Sequence, residues 1–185
     1  GGVGLIKNLK NIMTQNLKSI GSSIMVIGKN TGHLYQSELF REVLNFNDGQ
    51  PPAINLFNEK NNGLTILTLI SKKLLNSVHD ISSGGLILAL TEMCITGNMG
   101  AKIKIPTTNI GKIEYLFSED QSRYLIEIQE KHIKEVTKIL DKNSIYYELI
   151  GKTQKEYLNI DKEFTIEVAE LSKLNSVWFK NYYRD

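Results

Sequence analysis

Cysteine is nearly absent from these 185 residues: Cys94 stands alone, so no disulfide can form within the chain. It sits in an apolar helical pattern, where a free cysteine behaves as a small buried hydrophobe, and apolar neighbours raise rather than lower a thiol pKa. That setting excludes a cysteine nucleophile. Histidine is also scarce, with three residues, and neither His33 nor His132 has a partner at the spacing zinc requires. An excess of one charge is missing too. The 22 Lys and Arg are balanced by 20 Asp and Glu, and the lysines are scattered rather than gathered, which excludes a nucleic-acid footprint. Long hydrophobic runs are lacking: the purest, Leu86 to Leu90, is far too short to cross a bilayer, and no secretory-type leader opens the chain. No membrane is therefore expected, and the cytoplasm is the default location.

What is present, 41% hydrophobic and 23% charged residues, suits one globular domain with a substantial core. The opening "GGVGLIKNL" has no initiator Met, and Val3 to Leu9 reads like the end of something. A piece of a larger polypeptide is expected, with Gly1 or Gly2 left by a tag.

Ser22 to Gly28, "SSIMVIG", predicts a buried strand. Gln36 to Leu44 predicts a helix, stopped by "NDGQPP" with its adjacent Pro51 and Pro52. From about Asn58 to Leu75, Leu64, Leu67, Ile70, Leu74 and Leu75 recur at the period of a helix with one buried face. A short strand near Ser77 to Ile81 follows, then a Ser-Ser-Gly-Gly turn and a helix from Leu86 to about Thr96. Gly97-Asn98 ends that helix, since both accept the left-handed conformation of a C-terminal cap.

"AKIKIP" alternates as a half-solvated strand should. Arg123 to Gln129 predicts a strand, and Ile133, Val136, Ile139 and Leu140 line an amphipathic helix. Ile145 to Gly151 is a further strand, with one or a pair over Tyr157 to Val168. A last helix, Val168 to Tyr183, carries Leu171, Leu174, Trp178 and Phe179, the latter two as core or interface residues. Strands alternating with helices predict an α/β (α+β) sandwich, a mixed sheet packed with helices.

Three features bear on chemistry. The turn Ser82, Ser83, Gly84, Gly85 between strand and helix places free N–H groups where aligned peptide dipoles favour an anion such as phosphate. Alternatively, Ser82 or Ser83 caps the helix and the glycines permit close packing. His79-Asp80 has the composition of an acid–base pair, but neighbours on a strand point to opposite faces, so no contact between them is expected. Before the later strand, Ser118, Glu119, Asp120, Gln121, Ser122 and Arg123 form a polar loop. It could bind a sugar phosphate or a metal, or be a solvated turn bonded to its own backbone.

Taken in order, "GHLYQSELFREV", "GQPPAINL", "SVHDISSGGLILALTEMCITGNMGAKI" and "LFSEDQSRYLIEI" resemble the C-terminal domain of the phosphoribosylformylglycinamidine synthase family. The likeness runs from "VGLI" to the Trp178 helix. The family is similar to aminoimidazole ribonucleotide synthetase in pairing ATP-binding lobes with C-terminal lobes, and this chain corresponds to the second C-terminal lobe. Residues 1–15 would then be the tail of a preceding ATP-binding lobe or a linker.

The resemblance implies a reaction. ATP activates the amide oxygen of formylglycinamide ribonucleotide as a phosphate ester, and ammonia from a glutamine amidotransferase component displaces that phosphate. It also implies that ATP and Mg2+ serve the full enzyme through the missing lobe, with no cofactor held tightly and no catalytic residue here. The resemblance carries "HDxSxGG" onto His79 to Gly85, and "ExQSR" onto Glu119 to Arg123. In the first C-terminal lobe of such enzymes a comparable loop contacts substrate; in the second it faces a pseudo-symmetric site that in some members holds a nucleotide. Two departures weigh against an anion here: Asp120 replaces the commoner Ser, and Ser83 replaces an acidic residue.

The glycine turn is thus expected to be a structural corner first, binding an anion only in the assembled protein. A lobe cut from its partners should also expose an apolar face through which it self-associates. Two alternatives stay open: the C-terminal lobe of another synthetase of the superfamily, or a nucleotide- or phosphate-binding module.

Overall fold

A strand can be buried along its whole length only if both faces of its sheet are covered, and "SIMVI" meets that demand. A computed structural model of the chain describes residues 4–6, 8–107 and 109–182. In it β1 (Ser23–Ile27) is buried at every residue. The other strands are β2 (Ser77–Asp80), β3 (Gly100–Ile103), β4 (Tyr124–Ile128), β5 (Tyr147–Gln154), β6 (Tyr157–Ile160) and β7 (Phe164–Glu167). They form one sheet in the order β2-β4-β1-β5-β3-β6-β7. Every neighbouring pair is antiparallel except β3 with β6.

Period-two alternation along β1 divides the core into two layers. Met25 and Ile27 pack with Ile66 and Leu69 of α1 (Leu56–Ser71) and with Val136 and Leu140 of α4 (Ile133–Lys142). Ile24 and Val26 pack on the opposite side with Leu86, Leu90 and Met93 of α2 (Gly85–Gly97). Tyr115 and Leu116 of α3 (Lys112–Phe117) and Val168 of α5 (Val168–Tyr182) complete that second layer. The result is the expected α/β sandwich around a mixed sheet. None of the described helices is long and apolar enough to cross a membrane.

Several expectations need correction. On α1 the buried positions are Asn62, Thr65, Ile66 and Leu69, whereas Leu64 and Leu67 are 54% and 60% exposed. This helix carries apolar residues on both faces, and a period of three to four fits either one. The helix expected over Gln36 to Leu44 is only a π-helical turn, Leu39–Val43. Gln36 and Asn45 have φ of +62° and +52°, which interrupts a right-handed helix at each end, and Phe40 instead packs edge-on against Tyr35 and Phe46, whose own rings are tilted to each other. Helix α3 was not anticipated.

At the end of α2, Asn98 alone takes the left-handed cap, φ +46°. Gly97 serves a different need, because a Cβ there would lie 2.6 Å from the Leu17 carbonyl oxygen. Trp178 is 67% exposed and stacks on Tyr182, so it is not a core residue. The expected helix end at Tyr183 and the expected opening at Gly1 to Val3 lie outside the described residues.

One buried charge ties the leading segment to the sheet. Glu127 of β4 is fully buried and accepts from the backbone N–H groups of Lys18 and Ser19, each at 2.9 Å. It also accepts from the Asn76 amide at 3.0 Å and the Ser77 hydroxyl at 3.1 Å. A desolvated carboxylate is tolerable only with its oxygens bonded in this way.

Cys94 is fully buried, and burial pushes its thiol from 9.0 up to about 12. Because the folded pKa lies above the unfolded one, the thiol's contribution is intact below pH 9 and is lost as pH rises toward about 12. The slope is about 1.4 kcal/mol per pH unit. Urea unfolding at pH 8 to 11 should therefore show a steeper loss of stability in the wild-type chain than in Cys94→Ala. A difference between the two that stays constant with pH would contradict it.

Candidate functional site at the glycine corner

The chain leaves β2 with Ile81 N–H bonded to the Arg123 carbonyl at 2.9 Å, and turns so that Gly85 N–H reaches the Ser82 carbonyl at 3.0 Å. Gly84 and Gly85 have φ of +76° and +68°, a region L-residues avoid. The second glycine also permits a close approach, since a Cβ on Gly85 would sit 2.6 Å from the Phe117 carbonyl carbon. The cap of α2 is Gly84, and neither Ser82 nor Ser83 caps the helix through its side chain, so the serine-cap reading is corrected. Both serines are exposed.

The position an anion would occupy at this helix end is taken by a carboxylate of the chain itself. Glu119 Oε1 accepts from Gly84 N–H at 2.8 Å and from Glu38 N–H at 2.7 Å. The next residue repeats the device. Asp120 Oδ2 accepts from the N–H groups of Thr31, Gly32 and His33 at 2.9, 3.2 and 3.5 Å, while Oδ1 accepts from the Thr31 hydroxyl. Asp120 is buried. The "solvated turn" reading of this loop is therefore corrected as well: its acids bond backbone from segments more than thirty residues away in sequence. The segments "TGHLYQSEL", "SSGG" and "SEDQSR" meet through these two side chains.

Behind them Arg123 is 2% exposed. Its Nη1 donates to the carbonyl and the hydroxyl of Ser118, each at 3.2 Å, and its Nε and Nη2 have no hydrogen-bond partner among the described residues. Burial pulls the guanidinium pKa down; Asp120, Tyr115 and Glu148 act against that. Gln121 is exposed, and Ser122 takes φ +62° with its hydroxyl on Glu59.

His79 and Asp80 do touch. The ring Nδ1 is 3.2 Å from Asp80 Oδ1, and Nε2 is 2.7 Å from Glu92 Oε2 of α2. The expectation of no contact fails at the last residue of an edge strand, where the exposed Asp80 carboxylate comes within reach of the ring. The pair lies on the wall of an open cleft of about 540 Å³ with Gln15, Ile66 and Tyr124. No group of three His, Cys, Asp or Glu able to hold a metal occurs among the described residues. Sequence reading missed Thr31, Gly32, Glu38 and Glu92. The first three contribute backbone donors, which leave no side-chain signature.

Residues 19–160 match the family described as AIR synthase related protein, C-terminal domain. The chain belongs to that family. Among curated relatives it is 48% identical over 182 residues to phosphoribosylformylglycinamidine synthase subunit PurL of Pelagibacter ubique, covering 98% of this chain and 25% of the relative. The chain thus spans about a quarter of the length of the curated relatives it matches. Among solved structures, Thermotoga maritima PurL complexed with FGAR superposes with a TM-score of 0.73 at 17% identity, over 89% of this chain and 30% of that one. A structure of PurLQS from the same organism gives 0.70 at 17% identity, over 89% and 28%. These two likenesses establish the fold.

In this AIR synthase related domain, Glu119→Ala would strip acceptors from Gly84 and Glu38 at once. The expected cost is about 1–3 kcal/mol, that of leaving buried donors unmade, with Glu119→Gln costing less because an oxygen remains. Urea unfolding together with amide exchange at Gly84 measures it. An unchanged exchange rate at Gly84 in the Ala variant would show that the contact holds nothing.

Proposed function

We propose that the chain is the second C-terminal lobe of a phosphoribosylformylglycinamidine synthase, an ATP-dependent C–N ligase of purine biosynthesis. The carrying observation is the alignment of 98% of the chain with a PurL at 48% identity. The full enzyme would convert formylglycinamide ribonucleotide, ATP and glutamine-derived ammonia to formylglycinamidine ribonucleotide. It would do so in the cytoplasm, with an amidotransferase component as partner.

The lobe itself is not catalytic in this reading. A Mg2+–ATP site needs free carboxylates and free backbone donors, yet Glu119 and Asp120 are already engaged by the N–H groups of Gly84, Glu38 and Thr31 to His33. These residues do not fit the cofactor, which falls to the missing ATP-binding lobe. Residues 1–15 as a tail of that lobe agree with the exposure of Leu5, Ile6, Leu9 and Ile12. The outer face of α1, with Leu56, Phe57, Leu64 and Leu67, and that of α5, with Leu174 and Trp178, are also exposed. They are the surfaces through which the lobe would meet the rest of the polypeptide or, cut from it, a second copy.

With formylglycinamide ribonucleotide, ATP, Mg2+ and ammonia, the isolated chain should form no amidine product while the full-length polypeptide does. Turnover by the isolated chain overturns the inert-lobe reading, and failure of the full polypeptide overturns the reaction. Light scattering of the isolated chain should show association that grows with concentration; a monomer throughout would remove the apolar-face expectation.

A further inference from the structure

On the other side of the sheet from the glycine corner, a cleft of about 340 Å³ opens between the first turns of α1 and the α4–β5 turn. Its walls are fixed by the chain. Gly28 N–H donates to the Tyr146 carbonyl at 2.9 Å, and the Asn61 amide donates to the Asn143 carbonyl at 3.0 Å. Asn143 in turn donates to the Thr65 hydroxyl at 3.0 Å.

The charge of this cleft is one-sided. Lys29 and Lys142 line it, no acidic residue does, and neither lysine is in an ion pair among the described residues. In a chain with 20 acidic residues against 22 basic ones, a concave surface with cations alone calls for a counter-charge. The N-terminal end of α1 adds little to them, because the Asn58 N–H already donates to the Asn55 side-chain oxygen at 3.0 Å and Glu59 stands in the first turn; the two lysines carry the charge of the cleft. Neutral hydrogen-bonding groups share the lining with the cations: the side-chain amide of Asn58, unpaired among the described residues, and the exposed Ser144. Phe57 and Tyr146, 75% and 43% exposed, offer flat ring surfaces among the lining residues, the Tyr146 hydroxyl being held by Glu148 outside the lining.

We infer that this cleft is a binding site for a small phosphate monoester, with the phosphate between Lys29 and Lys142 and the body of the ligand on the amides and rings. Lysine serves phosphate as a point charge, and a volume of some hundreds of Å³ is that of small-molecule sites. The assignment is independent of the function proposed above, since it uses none of the residues of the glycine corner.

Titration of the chain with AMP, ribose 5-phosphate and inorganic phosphate at low salt, followed by calorimetry and by amide shifts of Asn58 and Asn61, tests it. Both esters, or the nucleoside ester alone, should bind at least tenfold more tightly than inorganic phosphate. Lys29→Gln combined with Lys142→Gln should weaken the ester tenfold or more, whereas Ser82→Ala should not. AMP binding above ribose 5-phosphate assigns a nucleoside ligand; equal binding assigns a sugar phosphate. No saturable shift at millimolar ester overturns the site. So does an affinity for inorganic phosphate equal to that for the esters, or a shift confined to residues of the glycine corner. The shifts on the wild-type chain keep the test decisive if the double variant does not fold.

Discussion

Backbone N–H groups at tight corners must find acceptors, and where the loop after β1, the π-helical turn and the start of α2 meet, two adjacent carboxylates supply them. Glu119 serves the turn into α2 and the start of the π-helical segment; Asp120 serves three successive N–H groups of the loop after β1. A charge-assisted hydrogen bond is roughly twice as strong as a neutral one. Placing such bonds where Gly84 and Gly32 take positive φ stabilises conformations that the backbone alone would not hold. These acceptors join the helix end to a loop and polar segment that are also tied to each other by Glu119 N–H on the His33 carbonyl and the Ser118 hydroxyl on Asn30.

The anchor is itself placed by the sandwich. β4 pairs with β1 and β2, so the loop ahead of Tyr124 must emerge beside the loop that leaves β1 and the one that leaves β2. The sheet order therefore brings three distant segments to one edge of the core. Arg123, the first residue before β4, sets the charge balance there: a buried guanidinium is costly alone, and Asp120 and Glu148 act to keep it charged. At the opposite end of the same strand Glu127 performs the matching service for the leading segment, with four donors on its two oxygens. A cation thus stands just before this strand and an anion near its exit; the anion has four donors, whereas the guanidinium is bonded through Nη1 alone among the described residues.

Much of this was legible in the chain and some was not, for definable reasons. The apolar run of α2 and the β-branched run of β1 are buried on nearly all sides, and composition alone identifies such segments. The buried face of α1 was misassigned because apolar residues occupy both of its faces, so periodicity supplies two equally spaced sets and no way to choose. His79 and Asp80 were placed apart by the strand rule, which fails where a strand ends. The polar residues before β4 announced themselves as unusual, but their partners are main-chain groups of Thr31 to His33, Glu38 and Gly84. A peptide N–H has no letter in the sequence, so the bonds that define the corner appear only in three dimensions.

A helix end already neutralised from within has a consequence for ligands. An incoming anion at the corner would have to displace the Glu119 carboxylate, leave that charge near the newcomer, and break the second bond to Glu38 in doing so. Repulsion and the loss of both hydrogen bonds oppose it, whatever the N-terminal dipole of α2 offers. The serine turn that looks most like a phosphate cradle in sequence is therefore the poorer place for one. Two lysines outside any ion pair among the described residues lie across the sheet, Lys29 and Lys142, in a cleft that no carboxylate of the chain lines. Electrostatic self-satisfaction, more than the presence of glycines, decides which of the two sites is open to a ligand.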